Sequence, residues 1–217
     1  MTTVDLAPLL QRLEEQRYAL DQTELLAELE NFARQQISTP SLYDVECNLH
    51  ILKSYQLNPT VLNLDIVVGI LLKALTRLPE TDYLLSTLLL TENVQQDSRV
   101  AAVLQLGSQL ESARFTDCWE TLAESDFPKD VVADFAAALR VFILHVVGNS
   151  FKAISKEMLS GFMNLSVDEL NILAAEHGWT ITVDAYNLPA DASAEVTNPN
   201  VENIQLSQLL PIISHLT

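Results

Sequence analysis

The chain has 217 residues and a net charge of −17, from 29 acidic and 12 basic side chains. So acidic a surface repels nucleic acid and anionic membranes and favours basic protein surfaces, although charge also serves simply to keep an abundant protein soluble. Apolar residues make up 48% of the chain, enough for a folded core, and only five glycines and eight prolines favour helices over strands.

Compartment is suggested by what the sequence lacks. Cys47 and Cys118 are the only cysteines, which is far below the density of a secreted disulfide scaffold. Residues 1–10 have neither a basic region nor a long apolar run, so they do not form a signal peptide. The longest uncharged stretch, 203–217, is broken by Pro211 and is shorter than the roughly 18 residues of a membrane span. We therefore expect a soluble, intracellular, cytoplasmic protein.

The first two helices are marked by their ends. Residues 21–24 (Asp-Gln-Thr-Glu) have the form of a capping box and predict a helix that runs toward Ile37. A second helix carries an apolar stripe over 45–55 and stops before the Asn-Pro pair at 58–59.

A third helix is apolar on most of its surface. Its stripe follows a 3-4-3-4-3 spacing through Val61, Leu64, Val68, Leu71, Leu75 and Leu78. Because Ile66, Val67 and Ile70 widen that stripe, the helix is expected in the middle of a stack. Gly69 costs about 1 kcal/mol against alanine, so we expect it to admit a closely packed neighbouring helix.

Further helices complete a stack. They are predicted at about 82–90, 99–111, 117–123 and 129–147. Successive helix pairs of roughly 35–40 residues are typical of HEAT- or TPR-like stacking, although no signature residues repeat. We therefore assign residues 1–127 to a helical-repeat-like domain.

The pattern changes after Gly148. A short helix over 154–162 precedes a second capping box, 166–169, which opens a helix to His177. Gly178 is well placed as the left-handed cap at the end of that helix.

Strand signals follow this helix. Residues 179–183 alternate and are rich in β-branched and aromatic side chains, which predicts a strand. Residues 184–200 form a turn-rich loop, 201–206 a returning strand, and a short helix begins near Leu209. This order is that of a winged helix, which we assign to residues 128–217 including its leading helix. The fold class is mainly α with a small β-sheet.

The winged helix has the wrong charge for nucleic acid. No lysine or arginine follows Lys156, and residues 157–217 hold eight acids. Binding to duplex nucleic acid rests on cations that displace counterions, and a reading helix presents Arg, Lys, Asn or Gln to the groove. The helix 167–177 instead offers Asp168, Glu169, Asn171, Glu176 and His177. We therefore expect a protein partner and no direct contact with nucleic acid. The alternative is that this helix only packs within its own module and contacts no partner.

Catalytic and metal-binding patterns are absent from the sequence. It has no G-x-S-x-G, P-loop, G-x-G-x-x-G or H-E-x-x-H motif, and its glycines never cluster. Cys47 and His50 have a spacing that could place both near one metal, but no second pair completes the ligands. His145 lies in the apolar run 142–147, which predicts core packing. We predict no catalytic residue, metal or cofactor; a hidden hydrolase would need a cleft joining His145 or His50 to a nucleophile.

Two segments carry a resemblance to known proteins. Residues 43–59, with the motifs YDVECNL and LKSYQLNP, and residues 70–82, ILLKALTRLPETD, resemble the k-subunit family of eukaryotic translation initiation factor 3. The run HVVG at 145–148 is also similar, and the resemblance extends over nearly the full length. It is weakest in the first twenty residues and in 184–200.

The resemblance implies an architecture and a role. It implies a HEAT-like domain followed by a PCI-type winged helix, a type shared with subunits of the proteasome lid and the signalosome. It further implies a non-catalytic peripheral scaffold subunit that pairs with the l subunit and reaches the small ribosomal subunit through the larger complex. Alternatives are a PCI subunit of the proteasome lid or signalosome, and a nucleic-acid-binding winged-helix protein.

An interface is also implied. By analogy with the family, PCI subunits align their winged-helix sheets edge to edge, and an open sheet edge can accept another strand. Four apolar residues of the two predicted strands are therefore candidates for a subunit contact: Ile181, Val183, Ile204 and Leu206. Because strand faces alternate, about half of them are expected in the module's own core.

Overall fold

The structure, a computed structural model, describes residues 23–39, 42–125, 127 and 129–188. Within them it has ten α-helices, a 3-10 turn at Pro59–Val61 and three strands. The helices are α1 (Thr23–Ser38), α2 (Val45–Leu57), α3 (Leu64–Leu75), α4 (Asp82–Leu88), α5 (Glu92–Gln95), α6 (Ser98–Glu111), α7 (Phe115–Glu124), α8 (Lys129–Ser150), α9 (Lys156–Met163) and α10 (Val167–Glu176); the strands are β1 (Ala153–Ser155), β2 (Thr180–Ile181) and β3 (Ala185–Asn187). The predicted class, mainly α with a small sheet, is confirmed.

Helix α3 occupies the centre of the stack, as its sequence predicts. Nine of its twelve residues are buried, and it packs against α1, α2, α4, α6 and α8. Gly69 is what allows α1 so close, because a Cβ at this position would collide with Cδ1 of Ile37. Glycine weakens the isolated helix, but at this position it lets α1 and α3 pack more closely.

The predicted ends of α3 are wrong. The apolar stripe suggested a helix from Val61 to Leu78, whereas α3 spans Leu64–Leu75. The Asn63 side chain accepts a hydrogen bond from the Asp65 amide at 3.1 Å, so Asn63 caps the helix and the residues before it form the separate 3-10 turn. An apolar stripe therefore extends beyond the hydrogen-bonded helix at both ends.

Other helix ends follow the sequence closely. The Asp44 carboxylate caps α2 by accepting from the Cys47 amide at 2.7 Å. Ser166 and Glu169 form the predicted reciprocal capping box of α10. Gly178 has a φ of 69°, so it supplies the left-handed residue after that helix.

The small sheet contains a strand that the sequence does not indicate. Its order is β1-β3-β2, and both pairings are antiparallel. Ile154, predicted to begin a helix, lies instead in β1, where it pairs with Tyr186 of β3. Helix α9 begins only at Lys156, capped by the Ser155 hydroxyl, which accepts from the Met158 amide at 3.3 Å.

The predicted long loop begins with a hairpin. Residues 185–187 of the expected 184–200 loop form β3, so this part of the prediction is wrong. The Thr182 amide donates to the Ala185 carbonyl oxygen at 2.9 Å, which leaves only Val183 and Asp184 in the turn. Val-Asp is not one of the glycine-containing pairs that mark two-residue hairpins. The predicted returning strand, 201–206, lies outside the described residues.

Helix α8 connects the stack to the sheet-bearing part of the chain. It packs on α1 and α3 and also on α9. Its buried side carries Phe135, Leu139, Ile143 and Val147, all part of one continuous core. In the described part of the chain, no helix has both the length and the apolarity needed to cross a bilayer.

Candidate protein interface

One face of the small sheet is buried, and Ile181 lies at its rim. Ile154 and Ile181 both stand opposite Tyr186, on either side of β3. Residues directly opposite in an antiparallel pair point to the same face. Ile154 and Tyr186 are fully buried, whereas Ile181 remains 43% exposed. The buried face therefore continues past β3 to an apolar side chain that the described residues cover only in part.

Strand β2 forms one edge of this sheet. In the order β1-β3-β2 its inner side pairs with β3, and its outer side faces no other described strand. Val183, in the turn that follows, is 87% exposed. The structure thus brings Ile181 and Val183 to the same corner of the sheet, while Ile204 and Leu206 lie outside the described residues. A strand edge that carries exposed aliphatic side chains is chemically suited to accept another polypeptide.

Tyr186 anchors this corner and is not evident from the sequence. Its hydroxyl donates to Oδ1 of Asn171 on α10 at 3.0 Å, and Nζ of Lys156 lies 5.7 Å from the centre of its ring. The Trp179 ring packs at 6.4 Å between centroids. Burial raises the pKa of Tyr186, so the hydroxyl remains a hydrogen-bond donor. An alternating Ala-Tyr-Asn segment after a turn was the available signal, but it is only three residues long.

The outward face of α10 is acidic. Leu170 and Ala174 are buried on the inward side of the helix, whereas Asp168, Glu169 and Glu176 are exposed. Hydrogen bonds from the Ser166 hydroxyl and amide lower the pKa of Glu169, so its negative charge is retained at neutral pH. Helix α10 itself contains no lysine or arginine with which to neutralise a phosphate, which argues against its insertion into a nucleic acid groove.

The candidate metal and catalytic residues do not form a site. Cys47 is fully buried, and burial raises the pKa of its thiol well above the usual range. Across the described ranges, no group of three His, Cys, Asp or Glu side chains is placed to hold a metal ion. Cys118 also packs in the core.

The prediction for His145 is wrong. The side chain is exposed, and its Nε2 lies 3.1 Å from Nδ2 of Asn149. Ile143 and Val147, one helical turn apart, face the core, and His145 between them must face the opposite side. An apolar run in a helix therefore does not bury every residue within it.

His145 borders a groove of about 380 Å³ between α8 and the sheet. Its described lining residues are Val141, Leu144, His145, Gly148, His177, Trp179 and Leu188. None of these is a serine, threonine or cysteine, so the groove does not join His145 to a nucleophile among them. The groove is a feature of surface shape and apolarity.

Comparison of the sequence with known proteins matches it to one family. A family model described as CSN8/PSMD8/EIF3K matches residues 61–200. The chain is 36% identical to eukaryotic translation initiation factor 3 subunit K of Xenopus laevis over 72% of each chain. It is 36% identical to the Drosophila grimshawi protein of that name, over 76% of this chain and 72% of the relative, and 34% identical to the Homo sapiens one, over 72% of each.

Proposed function

Because the chain belongs to the CSN8/PSMD8/EIF3K family, we propose that it is a subunit of eukaryotic translation initiation factor 3. The observation that carries this proposal is the similarity to subunit K proteins of three animal species over most of both chains. The role is that of a non-catalytic peripheral scaffold in the cytoplasm, which acts in translation initiation through protein–protein contacts. Its partner is the l subunit, and it reaches the small ribosomal subunit through the assembled complex.

The subunit contact lies at the β2 edge. Ile181 and Val183 are its described members, and Ile204 and Leu206 complete it in the residues beyond Leu188. The support is that the outer side of β2 pairs with no other described strand and that the apolar side chains there are exposed. A strand added beside β2 would cover Ile181 and extend the face that already buries Ile154 and Tyr186.

Electrostatics favours a protein partner at this end of the molecule. From Glu157 to Leu188 the chain carries five acids and no lysine or arginine. A basic protein surface would be attracted to it and a polyanion would be repelled. Contact with the ribosome is therefore assigned to the complex rather than to this chain's own binding of RNA.

Two domains underlie the proposal: a helical stack over 1–127 and a PCI-type winged helix over 128–217. Limited proteolysis of the full chain tests the boundary, since cleavage concentrates in exposed connections. Early cuts between Glu124 and Lys129 agree with it, and early cuts within α8 would contradict it.

Affinity purification of the tagged full-length chain from eukaryotic cells, followed by mass spectrometry, tests membership of the complex. We expect subunits of initiation factor 3, the l subunit among them. The second candidate, a subunit of the signalosome or proteasome lid, is favoured by the breadth of the family description and would be supported by recovery of those complexes.

A second measurement separates the protein-binding role from nucleic acid binding. The purified chain is titrated with a labelled RNA and a labelled DNA duplex at moderate salt. We expect no measurable binding. Tight binding that weakens steeply as salt rises would show counterion release and would overturn the assignment of a purely protein partner.

A further inference from the structure

The groove between α8 and the sheet is mainly apolar, and His145 and His177 are its only titratable side chains among the described lining residues. Among the described residues that line it there is no lysine, arginine, aspartate or glutamate, although the chain as a whole is strongly acidic. Val141 is 68% exposed at one side of it. At Gly148 a Cβ would meet no atom within 4 Å, so a second backbone can approach α8 closely there.

The groove also lies next to the C-terminal end of the described part of the chain. Leu188, the last residue that the structure describes, is one of its lining residues. Beyond it come residues 189–206, which include three acids, and then the run 207–217, which has none and no lysine or arginine. That run contains five large aliphatic residues: Leu209, Leu210, Ile212, Ile213 and Leu216.

We propose that the uncharged run 207–217 occupies this groove in its own chain. A largely aliphatic segment without acidic side chains, lysine or arginine matches a mainly apolar groove that also lacks them, and exposing either surface to water is unfavourable. The connection 189–206 makes the contact intramolecular, with an effective concentration on the order of millimolar, so modest apolar burial suffices.

A run seated in this groove leaves the β2 edge free. Ile204 and Leu206 precede the run and remain available for the sheet. Covering Val141 and Trp179 removes from water an apolar surface next to the proposed subunit contact. The two proposals fail separately, because one concerns a contact within the chain and the other a contact between chains.

Hydrogen exchange of the full chain tests the proposal. Val141→Asp places a carboxylate against the aliphatic residues of the run, which costs free energy because the charge loses water there. We expect amide exchange within 207–217 to accelerate by about tenfold or more, while helical circular dichroism is unchanged because Val141 is exposed in the described fold. The matched control is Leu88→Asp on α4, where the leucine is 69% exposed. Unchanged exchange, or equal acceleration by the control, would overturn the proposal.

Disulfide trapping identifies the occupant directly. Val141→Cys is combined with Leu210→Cys or Ile213→Cys; the natural Cys47 and Cys118 are buried and do not compete. Oxidation is expected to give an intramolecular disulfide in at least one pair, and the same partners with Leu88→Cys are expected to give none. A disulfide between two chains would identify a second copy as the occupant, and equal trapping by the control would indicate non-specific collision; either result would overturn the assignment.

Discussion

The indole nitrogen of Trp119 lies 2.7 Å from the carbonyl oxygen of Phe162, so α7 holds the end of α9 by a direct hydrogen bond. Arg140 of α8 strengthens this contact. Its guanidinium lies 5.3 Å from the centre of the Trp119 ring, and its Nε donates to the Met163 carbonyl oxygen at 3.2 Å. Two carbonyl groups in the last turn of α9, which a helix cannot satisfy internally, are thereby paired from two other helices.

This contact should contribute measurably to stability. Trp119→Phe keeps an aromatic ring but removes the donor to Phe162, and we expect the free energy of unfolding to fall by about 1 kcal/mol. Urea unfolding of the full chain measures the change. Trp179→Phe, at the groove, is the matched control and should cost less than half as much; equal losses would show that the indole hydrogen bond carries no special weight.

At one backbone position, a substitution is expected to raise the free energy of unfolding instead of lowering it. Ala113, after α6, has a φ of 57°, and the Arg114 amide donates to the Gln109 carbonyl oxygen at 2.8 Å. This is the helix ending that usually carries glycine, because a Cβ costs about 1–2 kcal/mol in the left-handed region. Ala113→Gly should therefore raise the free energy of unfolding, by about 0.5–1 kcal/mol.

The control for this change is Ala137→Gly, at an exposed position inside α8. There the backbone is already helical, so glycine should lower the free energy of unfolding by about 1 kcal/mol. Chemical denaturation of both variants decides the point. A loss of stability in Ala113→Gly would mean that the left-handed conformation is not strained at Ala113.

Local signals in the sequence predicted the helices well. The capping box at Ser166 and Glu169 and the close approach at Gly69 depend on residues near in sequence or on simple sterics. The acidic character of α10, which bears on the choice of partner, could also be predicted directly from its residues. These features could be predicted because the interactions that produce them are short in range.

The sheet could not be predicted in the same way. Strand β1 exists because Ile154 pairs with Tyr186, far along the chain, and three residues carry no periodicity of their own. The exposure of Ile181 likewise depends on which strand lies beside it. Ile181 was identifiable as an apolar strand residue, but its place at the rim follows only from the sheet order.

Stability should also depend on alkaline pH through Cys118. Burial raises the pKa of its thiol to about 12, from an ordinary value of 9.0. The folded pKa is above the unfolded one, so the contribution is complete below about pH 9 and is lost as pH rises from 9 toward 12. The unfolded thiol ionises in this window while the buried thiol stays protonated.

The measurement compares urea unfolding at about pH 8 and about pH 10 in the parent chain and in Cys118→Ala. Between these two pH values, the free energy of unfolding should fall by about 1 kcal/mol less in the variant than in the parent chain. This difference does not depend on how stable the variant is at the lower pH. Burial also raises the pKa of Tyr83 to about 12, so some alkaline destabilisation should persist in the variant. Identical pH dependence in both chains would contradict the assignment to Cys118.

The β2 edge yields the functional prediction. Ile181→Asp puts a charge where an added strand would bury an aliphatic side chain, so association with the l subunit should weaken, by about tenfold or more. Because Ile181 is 43% exposed, the helical circular dichroism should remain. Ile172→Asp is the matched control, since Ile172 is 63% exposed on α10 and does not belong to the sheet. Titration of both variants with the purified l subunit separates the possibilities: unchanged binding of Ile181→Asp, its global unfolding, or an equal loss in the control would each remove β2 as the contact.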